Sequence, residues 1–141
     1  MKTKRFVVPG SIAAFLLMVC ACAPTTRPVL ENKDSEVRLR SIQSRVFDTP
    51  DQNQAMRAVI ATLQDLGFVI DKANSSLGIV SATRLSGYVL KMTVTVRPRG
   101  EAQVLVRANA QYNLQAIEDP ELYQRFFVAL SQSMFLAAQQ M

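Results

Sequence analysis

Residues 88–112, YVLKMTVTVRPRGEAQVLVRANAQY, contain the pattern that decides the fold of this chain. Apolar and polar side chains alternate along 88–96 and again along 102–112, which is the period of a β-strand with one buried face. The tripeptide Pro98-Arg99-Gly100 between them has the composition of a hairpin turn. Two adjacent strands that each have one polar face predict an antiparallel sheet covered on a single side.

The predicted cover is a helix that follows this hairpin. Asp119 is a typical N-cap residue, Pro120 suits the first helical position, and Glu121 places a negative charge in the first turn. We therefore predict a helix over residues 120–141 that lies across the sheet. Its apolar stripe contains Tyr123, Phe126, Phe127, Leu130, Met134, Ala137, Ala138 and Met141.

A second helix is predicted before the hairpin, at residues 50–66. Thr49 is the expected N-cap, Pro50 the first helical residue and Gln52 the capping-box residue. Gly67 is placed to end this helix in the left-handed conformation. Its apolar face consists of Met56, Val59, Ile60, Leu63 and Leu66.

Three further strands are predicted at residues 68–73, at 77–84 and within 36–47. Alternation slips in the middle of 36–47, which leaves open a bulge or a later start of the strand. The predicted order is β-α-β-β-β-β-α. It corresponds to one α+β domain, residues 36–141, with an antiparallel sheet and two helices on one face.

The first 21 residues have the features of a secretory signal peptide. A basic start (Lys2, Lys4 and Arg5) precedes an apolar run over 6–19, and small residues follow it. We predict cleavage between Ala21 and Cys22. An uncleaved transmembrane helix is the alternative, but the run is shorter than the roughly 20 residues of a span and contains Pro9-Gly10.

Residues 19–22, Val-Cys-Ala-Cys, resemble the lipobox of bacterial lipoproteins. This resemblance implies a diacylglycerol thioether on Cys22, cleavage before it, and fatty acylation (palmitate, for example) of the new amino group. Cys20 is the competing site, but Val19 would then precede the cut, where a β-branched side chain fits poorly. Ala23 follows Cys22 in place of the Asp that retains lipoproteins in the inner membrane. The resemblance therefore implies the outer membrane, with the domain on its periplasmic face.

Beyond the lipobox, residues 22–35 are rich in Pro, Thr and charge and predict a lipidated flexible tether. Four segments of the domain resemble a family of uncharacterised proteobacterial lipoproteins: LQDLGFVI (63–70), LGIV (77–80), YQRFF (123–127) and LSQSMFL (130–136). More loosely, the order of elements is similar to the helix-grip domains of BamC, a lipoprotein of the outer-membrane β-barrel assembly machinery. These resemblances imply a helix-grip-like fold and supply no catalytic residues to carry over to this chain.

The composition argues against enzymatic chemistry. The chain has no His, so Ser-His-Asp and Cys-His arrangements are excluded. Its two cysteines, Cys20 and Cys22, both flank the predicted cleavage site, which leaves the domain without a disulfide or a Cys/His metal site. Ser75 and Ser76 lie near Lys72, but in a stretch typical of a turn. We expect no enzyme activity, no cofactor and no metal.

Charge does not suggest nucleic acid. Of the net charge of +5, three charges belong to the signal peptide, and the processed chain keeps only +2. Basic residues on the polar sheet face and its turn could meet anionic lipid or an acidic partner, but an ordinary solvated face that guards edge strands is the favoured interpretation. These residues are Arg84, Lys91, Arg97, Arg99 and Arg107.

Val128 and Phe135 lie outside the apolar stripe of the last predicted helix, seven residues apart on one face. They could anchor a protein partner, or other parts of the chain could cover them. We therefore expect a non-enzymatic binding or accessory lipoprotein of the cell envelope, held by its covalent lipid. The alternatives are a carrier of a small apolar ligand between the sheet and the last helix, and a hydrolase.

Overall fold

The hairpin forms the centre of the sheet in a computed structural model that describes residues 29–139. The predicted α+β class with an antiparallel sheet is confirmed. The helices are α1 (Val29–Ile42), α2 (Gln52–Asp65) and α3 (Pro120–Gln139). The strands are β1 (Ser44–Phe47), β2 (Val69–Asn74), β3 (Ile79–Leu85), β4 (Val89–Arg99), β5 (Gln103–Tyr112) and β6 (Gln115–Ala116).

Every strand pair in the sheet is antiparallel, in the order β1-β5-β4-β3-β2. The short strand β6, which the sequence did not predict, also pairs with β5. In the central hairpin Val96 lies opposite Val106, and the ladder continues to Arg99 opposite Gln103. The predicted turn at 98–100 is therefore displaced to residues 100–102.

The hydrophobic core lies between one face of this sheet and the two helices α2 and α3. Even-numbered residues of β3, β4 and β5 point to this face, as the alternation predicted. Four large side chains of the predicted α3 stripe are fully buried against them: Tyr123, Phe126, Phe127 and Leu130. At about 25 cal/mol per Å² of apolar surface, this burial is the main stabilising term of the domain.

Helix α2 begins two residues later than predicted. Asp51, not Thr49, is the N-cap, because its Oδ1 accepts a hydrogen bond from the Gln54 backbone N–H at 3.0 Å. The Thr49 hydroxyl instead accepts from the Asp51 backbone N–H at 3.3 Å. The predicted C-terminal signal is confirmed, since Gly67 has φ +80° and follows Leu66, the C-cap of the helix.

Helix α1 replaces two predicted features. Residues 29–35 are helical where a flexible tether was expected, and residues 36–42 are helical where a strand was expected. Of the predicted strand within 36–47, only Ser44–Phe47 pairs with β5. The predicted signal peptide, its cleavage site at Ala21, the lipidation site Cys22, and Met141 lie outside the described residues.

Candidate functional site

A groove lies where the loop between β1 and α2 meets the last third of α3. Its volume is about 470 Å³. Apolar surface comes from the ring of Phe135, from Met134 beside it, and from Phe47 and Pro50 across the groove. The other lining residues are Asp48, Thr49, Asp51 and Gln54.

Hydrogen bonds hold the loop wall of this groove in place. Besides the Asp51 cap, the Thr49 backbone N–H donates to the Phe47 carbonyl oxygen at 3.0 Å. Gln103 Nε2 donates to Asp48 Oδ1 at 2.6 Å, which fastens the loop to β5. The wall is therefore formed before any ligand binds, and binding at this site needs little ordering of the loop.

Both charged side chains among the described residues that line the groove are acidic. Asp48 and Asp51 are exposed at its margin, on either side of Pro50. Such an arrangement, apolar surface beside two carboxylates, is complementary to an apolar side chain flanked by Lys or Arg.

Phe135 is the sequence-predicted residue that belongs to this groove. Its side chain is 64% exposed, and that of Val128 is 47% exposed, so neither is covered by another part of the described chain. Val128 lies with Gln124, Ala129 and Gln132 at a separate shallow depression on α3. The predicted pair therefore shares a helix face but contributes to two different surfaces.

Four of the five basic residues singled out in the sequence lie on the uncovered face of the sheet. Lys91, Arg97, Arg99 and Arg107 have odd numbers in β4 and β5 and lie on the face opposite the two covering helices. They do not form one cluster, because Lys91 lies opposite Gln111 and six residues from Arg97 along β4.

Arg84 is the exception. It lies opposite Leu90, whose side chain is in the core, and therefore on the covered face. Its guanidinium group lies 5.0 Å from the ring centroid of Phe68, and its Nη1 donates to the Leu66 carbonyl oxygen at 3.2 Å. Arg84 thus covers the C-terminal end of α2, and it was wrongly assigned to the polar face.

Across residues 29–139 no three His, Cys, Asp or Glu side chains are grouped so that they could hold a metal ion. Lys72 is an exposed residue of β2, and Ser75 and Ser76 are exposed in the turn that follows it. Asp71 accepts a hydrogen bond from the Thr83 hydroxyl at 2.6 Å across the neighbouring strand.

The loop 48–51 is the part of the groove that sequence reasoning did not assign to a binding site. Its residues predicted the start of a helix, and no local pattern places them beside Phe135, since that contact depends on how α3 crosses the sheet.

No helix within residues 29–139 has the length and apolar character needed to cross a membrane.

Comparison with known proteins gives no match, neither to a family model nor to a curated protein. The resemblance to a lipoprotein family and to helix-grip domains therefore stays a prediction from the sequence.

Proposed function

We propose that this protein is a non-enzymatic accessory lipoprotein of the cell envelope that binds another envelope protein in the groove beside Phe135. The exposure of Phe135 over a preformed concave surface is the observation that carries this proposal. Aromatic side chains at concave surfaces dominate the binding energy of many protein interfaces. The carboxylates of Asp48 and Asp51 favour a partner segment with basic residues.

The lipid anchor of this proposal rests on residues 19–22. Acyl chains on Cys22 would confine the domain to the periplasmic face of the outer membrane, where confinement raises the local concentration of any partner and a weak contact suffices. The intact mass of the protein purified from membranes tests this part. A Cys22 N-terminus carrying the added mass of the acyl chains is expected, and an unmodified Cys22 thiol would refute the anchor.

The packing of the interior supports an accessory role over a carrier of apolar ligands. Tyr123, Phe126, Phe127 and Leu130 fill the layer between sheet and α3 with exposures of at most 1%. A carrier needs an internal pocket of several hundred Å³. The 470 Å³ groove instead lies at the margin of the domain, with its acidic residues exposed.

Affinity capture from detergent-solubilised envelopes tests the binding role. Wild type is compared with Phe135→Asp, which puts a third carboxylate beside the groove and removes its aromatic wall. Val37→Asp is the matched control, because Val37 is 66% exposed but lies on α1. We expect a protein that wild type and Val37→Asp recover and Phe135→Asp loses. Recovery of the same proteins by all three would remove the groove from consideration.

A further inference from the structure

A second exposed apolar surface lies at the other end of the sheet. It is formed where the β3–β4 hairpin and the loop after β5 come together. Leu114 is 95% exposed and Leu85 is 76% exposed, and three more exposed apolar or tyrosine side chains lie at the same end of the sheet. We call this surface the apolar sheet end; its members are Leu85, Tyr88, Val89, Tyr112 and Leu114.

These side chains lie on both faces of the same end of the sheet, Leu85 and Val89 on the open face and Tyr112 on the covered one. Leu85 lies directly opposite Val89 in the β3–β4 ladder. The Asn113 backbone N–H donates to the Val89 carbonyl oxygen at 3.2 Å, which fixes the loop that carries Leu114. The rings of Tyr88 and Tyr112 meet edge to face, with centroids 5.0 Å apart.

Lys91 is the exposed cation of the two segments that form the apolar sheet end, since Arg84 lies on the covered face with its guanidinium group over Phe68. Residues 84–92 and 110–117 contain no Asp or Glu, and their charged residues are Arg84 and Lys91. Apolar tips and two tyrosines with a polar hydroxyl each are the features of a surface that enters the interfacial region of a bilayer. The Asp71 carboxylate lies near Lys91, because the Thr83 hydroxyl donates to Asp71 at 2.6 Å and Thr83 is opposite Lys91 in the ladder. The apolar and tyrosine side chains, rather than charge, therefore favour a bilayer.

We propose that the apolar sheet end inserts into the interfacial region of a lipid bilayer. This inference rests on the proposed lipid anchor, which would hold the domain at the membrane. A second copy of the chain is a poorer occupant. A stable protein interface takes about 800 Å² and roughly 20 residues from each partner, and the apolar sheet end supplies five side chains at a protruding edge.

Fluorescence tests this proposal cleanly, because the chain contains no Trp. Full-length protein isolated from membranes and carrying Leu114→Trp is reconstituted in vesicles of phosphatidylcholine and phosphatidylglycerol. Phe135→Trp, at the groove on the opposite end of the sheet, is the matched control. We expect vesicles to shift the emission of Leu114→Trp to the blue. Lipids brominated close to the headgroup are expected to quench it severalfold more than that of Phe135→Trp.

Two results would overturn the proposal. One is equal quenching of the two variants, or no quenching of Leu114→Trp. The other is a blue shift of Leu114→Trp that depends on protein concentration in the absence of vesicles, which would identify a second copy as the occupant. If the lipid anchor is absent, the intact mass of the protein shows an unmodified Cys22. Vesicles are then added to the unanchored protein, and the quenching of Leu114→Trp and Phe135→Trp is compared in the same way.

Discussion

Tyr123 is the residue that connects the separate parts of the domain. It is fully buried, and its hydroxyl donates to the Ile117 carbonyl oxygen at 2.6 Å. The same hydroxyl accepts from Gln43 Nε2 at 3.2 Å and from the Ala110 backbone N–H at 3.1 Å. One side chain of α3 thereby satisfies polar groups of β5, of the end of α1 and of the loop before α3.

Removal of this hydroxyl isolates its contribution. Tyr123→Phe leaves the buried Ala110 N–H and the Gln43 amide without their partner, and we expect a loss of about 1–3 kcal/mol in the free energy of unfolding. Urea denaturation measures it. Tyr112→Phe is the control, because Tyr112 is exposed and should change the stability by less than about 0.5 kcal/mol. Equal effects of the two changes would contradict this role of Tyr123.

At Gly78 the structure leaves no room for a side chain. It has φ +64°, and a Cβ at this position would collide with the Val96 carbonyl oxygen and with Gln52 Nε2. Those two atoms are joined by a 2.9 Å hydrogen bond that ties α2 to β4. Gly100 has nearly the same φ, +65°, with no atom near its would-be Cβ.

We therefore expect Gly78→Ala to cost at least about 2 kcal/mol more than Gly100→Ala in urea denaturation. The left-handed backbone strain is common to both changes, so the difference reports the collision alone. A similar loss from the two substitutions would show that the β4 backbone moves away at little cost.

Some errors at this scale were avoidable from the sequence, and others were not. Arg84 has the same parity as Val80 and Ala82 in β3, which are fully buried, so strict alternation would have placed it on the covered face. The choice of Asp51 over Thr49 as N-cap was not decidable, because both residues are good caps and each precedes a Gln that suits the capping box.

Among the elements, those with long periodic patterns were predictable. Among their described side chains, β4, β5 and α3 each carry four buried residues at the expected spacing, which is why the sequence pattern predicted that they form the core. α1 has no such pattern. Two alternating pairs over residues 37–40 suggested a strand, but its Leu, Glu, Lys and Arg residues are also good helix formers.

Weak anchoring of α1 has a measurable result. Most of its described side chains are exposed, and its side-chain ion pair, Arg40 with Glu36 at 3.4 Å, is solvent-exposed and adds little. Over the described side chains 35–42, Ile42 is the α1 residue that packs against the core, and a short helix with so little tertiary packing is marginal in water. We expect its amide hydrogens to exchange much faster than those of α2 and α3 in hydrogen-exchange mass spectrometry. Protection equal to that of α3 would reveal a contact that stabilises α1.

The groove is a property of packing between elements and had no sequence signal as a whole. Helical periodicity does predict that Phe135 and Val128 point away from the apolar stripe. Helical periodicity does not predict that the loop 48–51 lies opposite Phe135. The position of the loop depends on the register of β1 against β5 and on the path of α3.

At the scale of the whole molecule, one continuous core joins the sheet to both covering helices. Such a core predicts a single cooperative unfolding transition. Far-UV circular dichroism, which follows the helices, and tyrosine fluorescence, to which buried Tyr123 contributes, should give the same midpoint in urea. Two separate midpoints would mean that α2 or α3 leaves the sheet before the strands separate.

The length of strand β5 fixes the distance between the groove and the apolar sheet end. Gln103, at one end, is bonded to the groove loop through Asp48, and Tyr112, at the other end, belongs to the apolar sheet end. At about 3.3 Å per residue, roughly 30 Å separate them. A domain standing on its tyrosine end would therefore hold Phe135 well above the lipid headgroups. Its partner would then be a protein that rises into the periplasm, not one that lies flush with the membrane.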